Sequence, residues 1–128
     1  MKLVDTVVII GFLNPKDRVH ERAVGHLRRV SSEDAVVVPT VSLIETDLVM
    51  KLRGYNDSER QASWRALESE IPASKVIPSS ASSIYGAVEL QKQGMDYFDS
   101  LVASLAKETG SAVITTDKMI EGAVETEW

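Results

Sequence analysis

Asp5, Glu45, Asp99 and Asp117 stand in four distant stretches: "KLVDTVVIIGFL", "PTVSLIETDL", "MDYFDSLVASLA" and "SAVITTD". In each, a carboxylate interrupts or borders an apolar run. A desolvated charge costs several kcal/mol unless it is paired or bound to a metal. None of the four stretches offers a Lys or Arg at a buried position to pair with these acids. The remaining partners are protons or a hard divalent cation. Mg²⁺ and Mn²⁺ prefer oxygen ligands, and Mg²⁺ sites use a few carboxylates plus water. A cation held in this way is suited to phosphodiester hydrolysis, because it polarises the phosphate, activates water and stabilises the leaving oxygen.

The chemistry needs the four acids to meet, so the elements that carry them matter. Residues 2–5 read as a strand entering the core. "TVVIIGFLN" is ambiguous: its β-branched residues favour a strand, but it is too long for one and fits a strand turning into a buried helix that ends at Asn14–Pro15. Residues 17–30 have helical spacing, and "SSED" is expected to end that helix. Short strands are expected at 35–39 and 74–78, and at 111–116. Helices are expected from Thr40 or Ser42 to Arg53, and from Asp57 or Ser58 to Glu70. Two more run from the serines at 79–83 to Gln93, and from Asp96 to Thr109, with Gly110 closing the last. The tail holds one helical turn and a last edge strand.

Short apolar strands alternating with helices predict an α/β fold of three layers, α/β/α, with a central, mostly parallel sheet of four to five strands. Residues 1–128 are expected to form a single domain. Right-handed crossovers place the carboxyl ends of all the strands at one edge, where ligands bind. Asp5 ends the first strand and Asp117 follows the fourth. Glu45 lies one turn into the helix after "AVVVP", on a stripe with Val41, Leu48, Val49 and Leu52. Asp99 lies in the first turn of its helix and shares a face with Val102, Ala103 and Ala106. All four are expected at that edge.

Composition excludes several other classes. The chain has 128 residues and no cysteine, which removes disulfides, thiolate zinc sites and cysteine nucleophiles and fits a reducing cytoplasm. The longest apolar run, 6–13, falls far short of the ~20 residues of a membrane helix, and no membrane role is expected. A net charge of −5 does not by itself mark a nucleic-acid binder. His20 and His26 are not at ligand spacing and are expected to be solvated. No phosphate-binding glycine motif is present.

Taken together and in order, "LVDT", "PTVSLIETDL", "DYFDSLVASLA" and "VITTD" resemble the PIN domain family, and within it the small VapC-like ribonuclease toxins. The resemblance spans the whole chain. It implies a Mg²⁺- or Mn²⁺-dependent endoribonuclease that cuts RNA with a metal-activated water, leaving a 3′-hydroxyl and a 5′-phosphate. It implies that Asp5, Glu45, Asp99 and Asp117 match the metal-holding quartet, and that Thr6 and Thr116 match the hydroxyls that position the acids. It implies a homodimer and, as a possible partner, an antitoxin. Asp96 is an added acid with no counterpart in many toxin-type members.

Plainer roles compete at each position. Asp96 and Asp99 complement a helix dipole, and Asp96 reads as the cap of its helix. Asp117 can cap a short helix, and Glu45 can reach solvent. Asp47 is expected to be solvated, and Trp64 to pack. Lys51, Arg53 and Arg60 border the Glu45 helix and are the candidate RNA contacts. The rival to a nuclease is a catalytically weak or inactive subunit that acts by binding protein or RNA in an RNA-processing complex. A receiver-type phosphoacceptor is disfavoured, because "VDTV" has one acid and "KVIPS" has none.

Overall fold

The computed structural model describes residues 1–128. Five strands, β1 (Lys2–Val4), β2 (Val36–Pro39), β3 (Val76–Ile77), β4 (Ala112–Ile114) and β5 (Thr126–Glu127), form one sheet. Their order is β3-β2-β1-β4-β5, and every pair is parallel. The helices are α1 (Thr6–Leu13), α2 (His20–Ser32), α3 (Thr40–Leu52), α4 (Asp57–Glu68), α5 (Ala81–Lys92), α6 (Tyr97–Thr109) and α7 (Lys118–Glu121).

Strand alternation builds the three layers. Successive side chains on a strand point to opposite faces. Val4, Val36, Val38 and Ile114 pack on one side with Val8 and Ile9 of α1, Leu27 and Val30 of α2, and Leu67 of α4. Leu3, Val37 and Val113 pack on the other with Val102, Leu105 and Ala106 of α6 and Ile120 of α7. Both faces are covered, so the strands read as unbroken apolar runs.

The ambiguous stretch after Asp5 is wholly helical. Asp5 keeps an extended backbone (φ −83°, ψ 162°), and α1 starts at the next residue. Its β-branched residues have modest helix propensity, and packing between the sheet and α2 overrides that preference. The α1–α2 crossing is tight: a Cβ on Gly11 would lie 2.8 Å from the Ala23 Cβ. α2 starts at His20, later than its spacing predicts, and it runs through Ser31 and Ser32 to the end of the "SS" pair. A turn precedes it, in which the Asp17 Oδ1 accepts from the Val19 amide at 3.0 Å. His20 Nδ1 lies 2.7 Å from the Gly11 carbonyl oxygen. α4 starts at Asp57, as expected, and Asn56 caps it through a reciprocal box with Glu59. Gly110 closes α6 with φ 64°, as the sequence predicts.

α3 is turned differently from its apolar pattern. Its buried residues are Ser42, Thr46 and Met50. Ile44, Leu48 and Leu52 are 56%, 40% and 78% exposed. The small polar stripe faces the start of α1, where the Thr46 hydroxyl donates to the Ser42 carbonyl at 2.7 Å. No helix is long and apolar enough to cross a membrane.

Gly11→Ala should cost about 1–3 kcal/mol, since neither Ala23 nor the α2 backbone can yield without moving the helix. Gly25→Ala, in the same layer but with open space around it, should be neutral or stabilising. Chemical denaturation of the two variants compares them directly.

Candidate active site

The carboxyl-end edge gathers the four acids. β1 and β4 lie side by side with Val4 opposite Ile114. The next residue on each strand is Asp5 and Thr115, and the Thr115 Oγ1 donates to the Asp5 Oδ2 at 2.6 Å. The same Thr115 oxygen accepts the Asp117 amide at 3.0 Å. One buried hydroxyl therefore fixes the carboxylate of Asp5 and the backbone of Asp117. The Asp5 amide also donates to the Ile114 carbonyl at 3.2 Å. Asp5 is 4% exposed, the most buried of the four.

Thr115, not Thr116, is the hydroxyl that meets the acids: it is buried and Thr116 is exposed. Two adjacent threonines on a strand face opposite ways, and the sequence alone does not say which faces Asp5. Thr6 is buried beside Glu45, as expected. Its hydroxyl reaches the Ser42 carbonyl at 3.5 Å, the outer limit of a hydrogen bond. Ser42 is fully buried, and its own hydroxyl oxygen has no partner.

Glu45 projects from α3 beside the polar Ser42–Thr46 stripe and is half-buried. Asp99 is half-buried in the first turn of α6, above the closely packed Val102–Ala106 segment. That turn is braced from α5. Gln91 Nε2 donates to the Ser100 Oγ at 2.9 Å, and the Ser100 hydroxyl donates to the Tyr97 carbonyl at 2.6 Å. Asp117 both faces the other acids and caps α7, accepting from the Met119 amide at 2.8 Å and the Ile120 amide at 3.3 Å. Asp96 is exposed at the N-cap position of α6, but its side chain makes no capping bond. Its effect is electrostatic, on Asp99.

These acids feel one another. Burial pushes the Asp5 carboxyl up to about 6, against the lowering effect of its Thr115 and backbone hydrogen bonds, and Glu45 and Asp117 raise it further. Burial likewise raises Glu45, Thr6 opposes the rise by hydrogen bonding, and Asp117 adds to it. Asp99 is pushed up to about 7, first by burial and then by Asp117, Asp5, Glu45 and Asp96. No one of the four is in an ion pair. The set is open: no three carboxylates or imidazoles close around a point as a finished cage. An all-oxygen, unpaired and partly solvated donor set fits Mg²⁺ or Mn²⁺, which keep several waters.

The basic candidates divide. Lys51 and Arg53 are exposed and form no ion pair. Arg60 is committed elsewhere: its Nε and Nη2 donate to Asp47 at 3.1 and 2.6 Å, and its Nη1 to Asp57 at 3.2 Å. Asp47 is thus a clamp and not a solvated surface acid. It also accepts from the Trp64 Nε1 at 2.9 Å, and these bonds hold its carboxyl below the usual range. Trp64 packs on the core, as expected. His26 is half-buried against Trp128, with ring centroids 4.9 Å apart, and not solvated.

Both Asp5 and Asp99 bind a proton more tightly in the folded chain than in the unfolded one. Between the ordinary value of 3.8 and about 7, the folded state therefore holds more protons, and stability falls as pH rises. In chelator, thermal unfolding should show this decline from pH 4 to 7. Asp5→Asn should remove its share, making the variant more stable than the parent at pH 8 by about 2–3 kcal/mol. A pH-independent melting temperature would contradict the electrostatic coupling.

The PIN domain model matches residues 2–124. Among solved structures, the chain is similar to FitAcB from Neisseria gonorrhoeae at 22% identity and TM-score 0.73, over 98% of this chain and 96% of that one. VapBC2 from Rickettsia felis, bound to a DNA fragment from its promoter, aligns at 15% identity and TM-score 0.75, over 99% and 98%. Mycobacterium tuberculosis VapC20, a Sarcin-Ricin loop cleaving toxin, aligns at 18% identity and TM-score 0.74, over 96% and 95%. No curated protein sequence matches the chain. At these identities the structural likeness speaks for the fold, and the match over residues 2–124 speaks for the family: the chain belongs to the PIN domain family.

Proposed function

We propose that the protein is a Mg²⁺- or Mn²⁺-dependent endoribonuclease and the toxin of a toxin–antitoxin pair, acting in the cytoplasm as a single catalytic domain over residues 1–128. The observation that carries this reading is the electrostatic coupling of four unpaired carboxylates from four elements at one sheet edge. Asp5, Glu45, Asp99 and Asp117 would hold the cation. When bound, it supplies Lewis acidity to the phosphate and acidifies water. The chain's part is positioning. Thr115 locks the Asp5 rotamer and the Asp117 backbone, Thr6 orients Glu45, and the Gln91–Ser100 pair steadies the turn that carries Asp99. Asp96 adds negative potential at the rim. Exposed Lys51 and Arg53 are available for RNA phosphates, whereas Arg60 serves the α3–α4 clamp.

Neighbours in the VapBC and FitAB complexes support an antitoxin partner for this chain. A homodimer is supported by the outward stripe Ile44, Leu48 and Leu52 on α3 and by exposed Ile84, Tyr85 and Val88 on α5. Scattered apolar residues need no partner, but a helical stripe of them does.

Three experiments test the reading. Asp5→Asn should lower RNA cleavage by roughly a hundredfold or more while the far-ultraviolet spectrum stays unchanged. Calorimetry should show Mn²⁺ binding that Asp99→Asn loses, and Thr115→Val should weaken it by roughly 10–100-fold. Cleavage by pure Asp5→Asn protein would end the assignment and leave the partner-binding subunit as the better reading. Leu48→Glu with Leu52→Glu should turn a dimer into a monomer in light scattering; an unchanged mass would place the dimer contact elsewhere or exclude it.

A further inference from the structure

A second surface borders the acids. Leu90, Gln93, Met95, Lys107, Lys118 and Met119 line an open cleft of about 360 Å³ between the end of α5, the flank of α6 and the start of α7. It begins where two acid-bearing segments begin and end. Met95 directly precedes Asp96 and the α6 turn that holds Asp99. Lys118 and Met119 directly follow Asp117. Lys107 stands eight residues, about 12 Å, further along α6 than Asp99, and its side chain lines the same cleft.

The cleft combines two kinds of lining. Lys107 is exposed and forms no ion pair. Lys118 is 86% exposed and meets only Glu121, three residues on, at 3.0 Å. Such an exposed pair contributes little and yields readily to a phosphate. Met95, Met119 and Gln93 line the same cleft, Met119 being 46% exposed. Two cations around a soft apolar floor suit a nucleotide: the phosphates meet the ammonium groups, and a base rests on the thioethers. The volume is in the range of pockets that take a small ligand.

We infer that this cleft holds the nucleotide of a single-stranded RNA that flanks the cleaved phosphate, with Lys107 and Lys118 on its backbone and Met119 under its base. The inference rests on the nuclease reading above. It gives the strand a path on the α6–α7 side of the carboxylates, separate from Lys51 and Arg53 at the end of α3. Lys118, directly after Asp117, also offsets the repulsion that the acids exert on RNA.

The test uses a fluorescent single-stranded RNA of mixed sequence and the full chain carrying Asp5→Asn, so that binding is read without cutting. Anisotropy is followed across a series of KCl concentrations with Mg²⁺ held constant. Adding Lys107→Ser and Lys118→Ser should weaken binding several-fold. It should also flatten the plot of log Kd against log salt by about 0.7 for each lysine lost. Adding Met119→Ser should weaken binding without changing that slope, because it removes a base contact and no ion. Both lysines are exposed, so the melting temperature should not move. If the parent binds RNA and the lysine variant keeps its affinity and slope, the cleft inference is wrong and the nuclease reading stands. If the parent binds no RNA and the wild type cuts none, both fall.

Discussion

Carrying the Asp5 carboxylate into the end of a covered parallel sheet is the constraint on which the rest of this edge depends. At 4% exposure the group has little water, and its first relief is the short bond from Thr115. That bond opposes only part of the burial penalty, so the carboxyl stays raised to about 6. Glu45 and Asp117 push it further upward, and the same acids together with Asp5 push up Asp99. A fold that needed only stability would place an apolar residue at such a position. The arrangement makes sense if something positive completes it.

The same demand explains the odd face of α3. An amphipathic helix normally turns its apolar residues to the core, yet here Ser42 and Thr46 go inward and Ile44, Leu48 and Leu52 go out. Small polar side chains let α3 approach the first turn of α1, where Asp5 and Thr6 begin. That approach brings Glu45 to the edge of the acid group. The Asp47–Arg60–Trp64 clamp fixes α4 against the outer side of α3 and so resists rotation of the helix about its own axis. The rotation that serves Glu45 leaves an apolar stripe in solvent.

Much of this was legible in the sequence, for a topological reason. Short apolar runs alternating with helical ones force a parallel sheet, and a parallel sheet puts every strand end at one edge. Asp5 and Asp117 could therefore be placed together from their positions at strand ends alone, and Asp99 from its place in a first turn beside small residues. What escaped depended on facts with no local signature. Thr115 and Thr116 differ by half a pleat. The rotation of α3 is set by what α1 presents, not by its own pattern. Arg60 finds its partner thirteen residues back on another helix. The Asp96 pattern mimics a capping box, but the carboxylate stays in solvent.

The acidity of the chain also takes on a different meaning once the site is located. Four of the nineteen acids belong to the edge group, so the rest of the chain carries a formal charge of only −1 out of the total of −5. The negative field is concentrated in one place, which on the proposed reading a divalent cation would reverse so that a phosphate could approach. Lysines at 51, 107 and 118 stand outside that group on three different helices, and Arg53 just after one of them. On the proposed reading a bound cation would add to an affinity that these basic side chains already supply, so an acidic protein could act on a polyanion without being a general nucleic-acid binder.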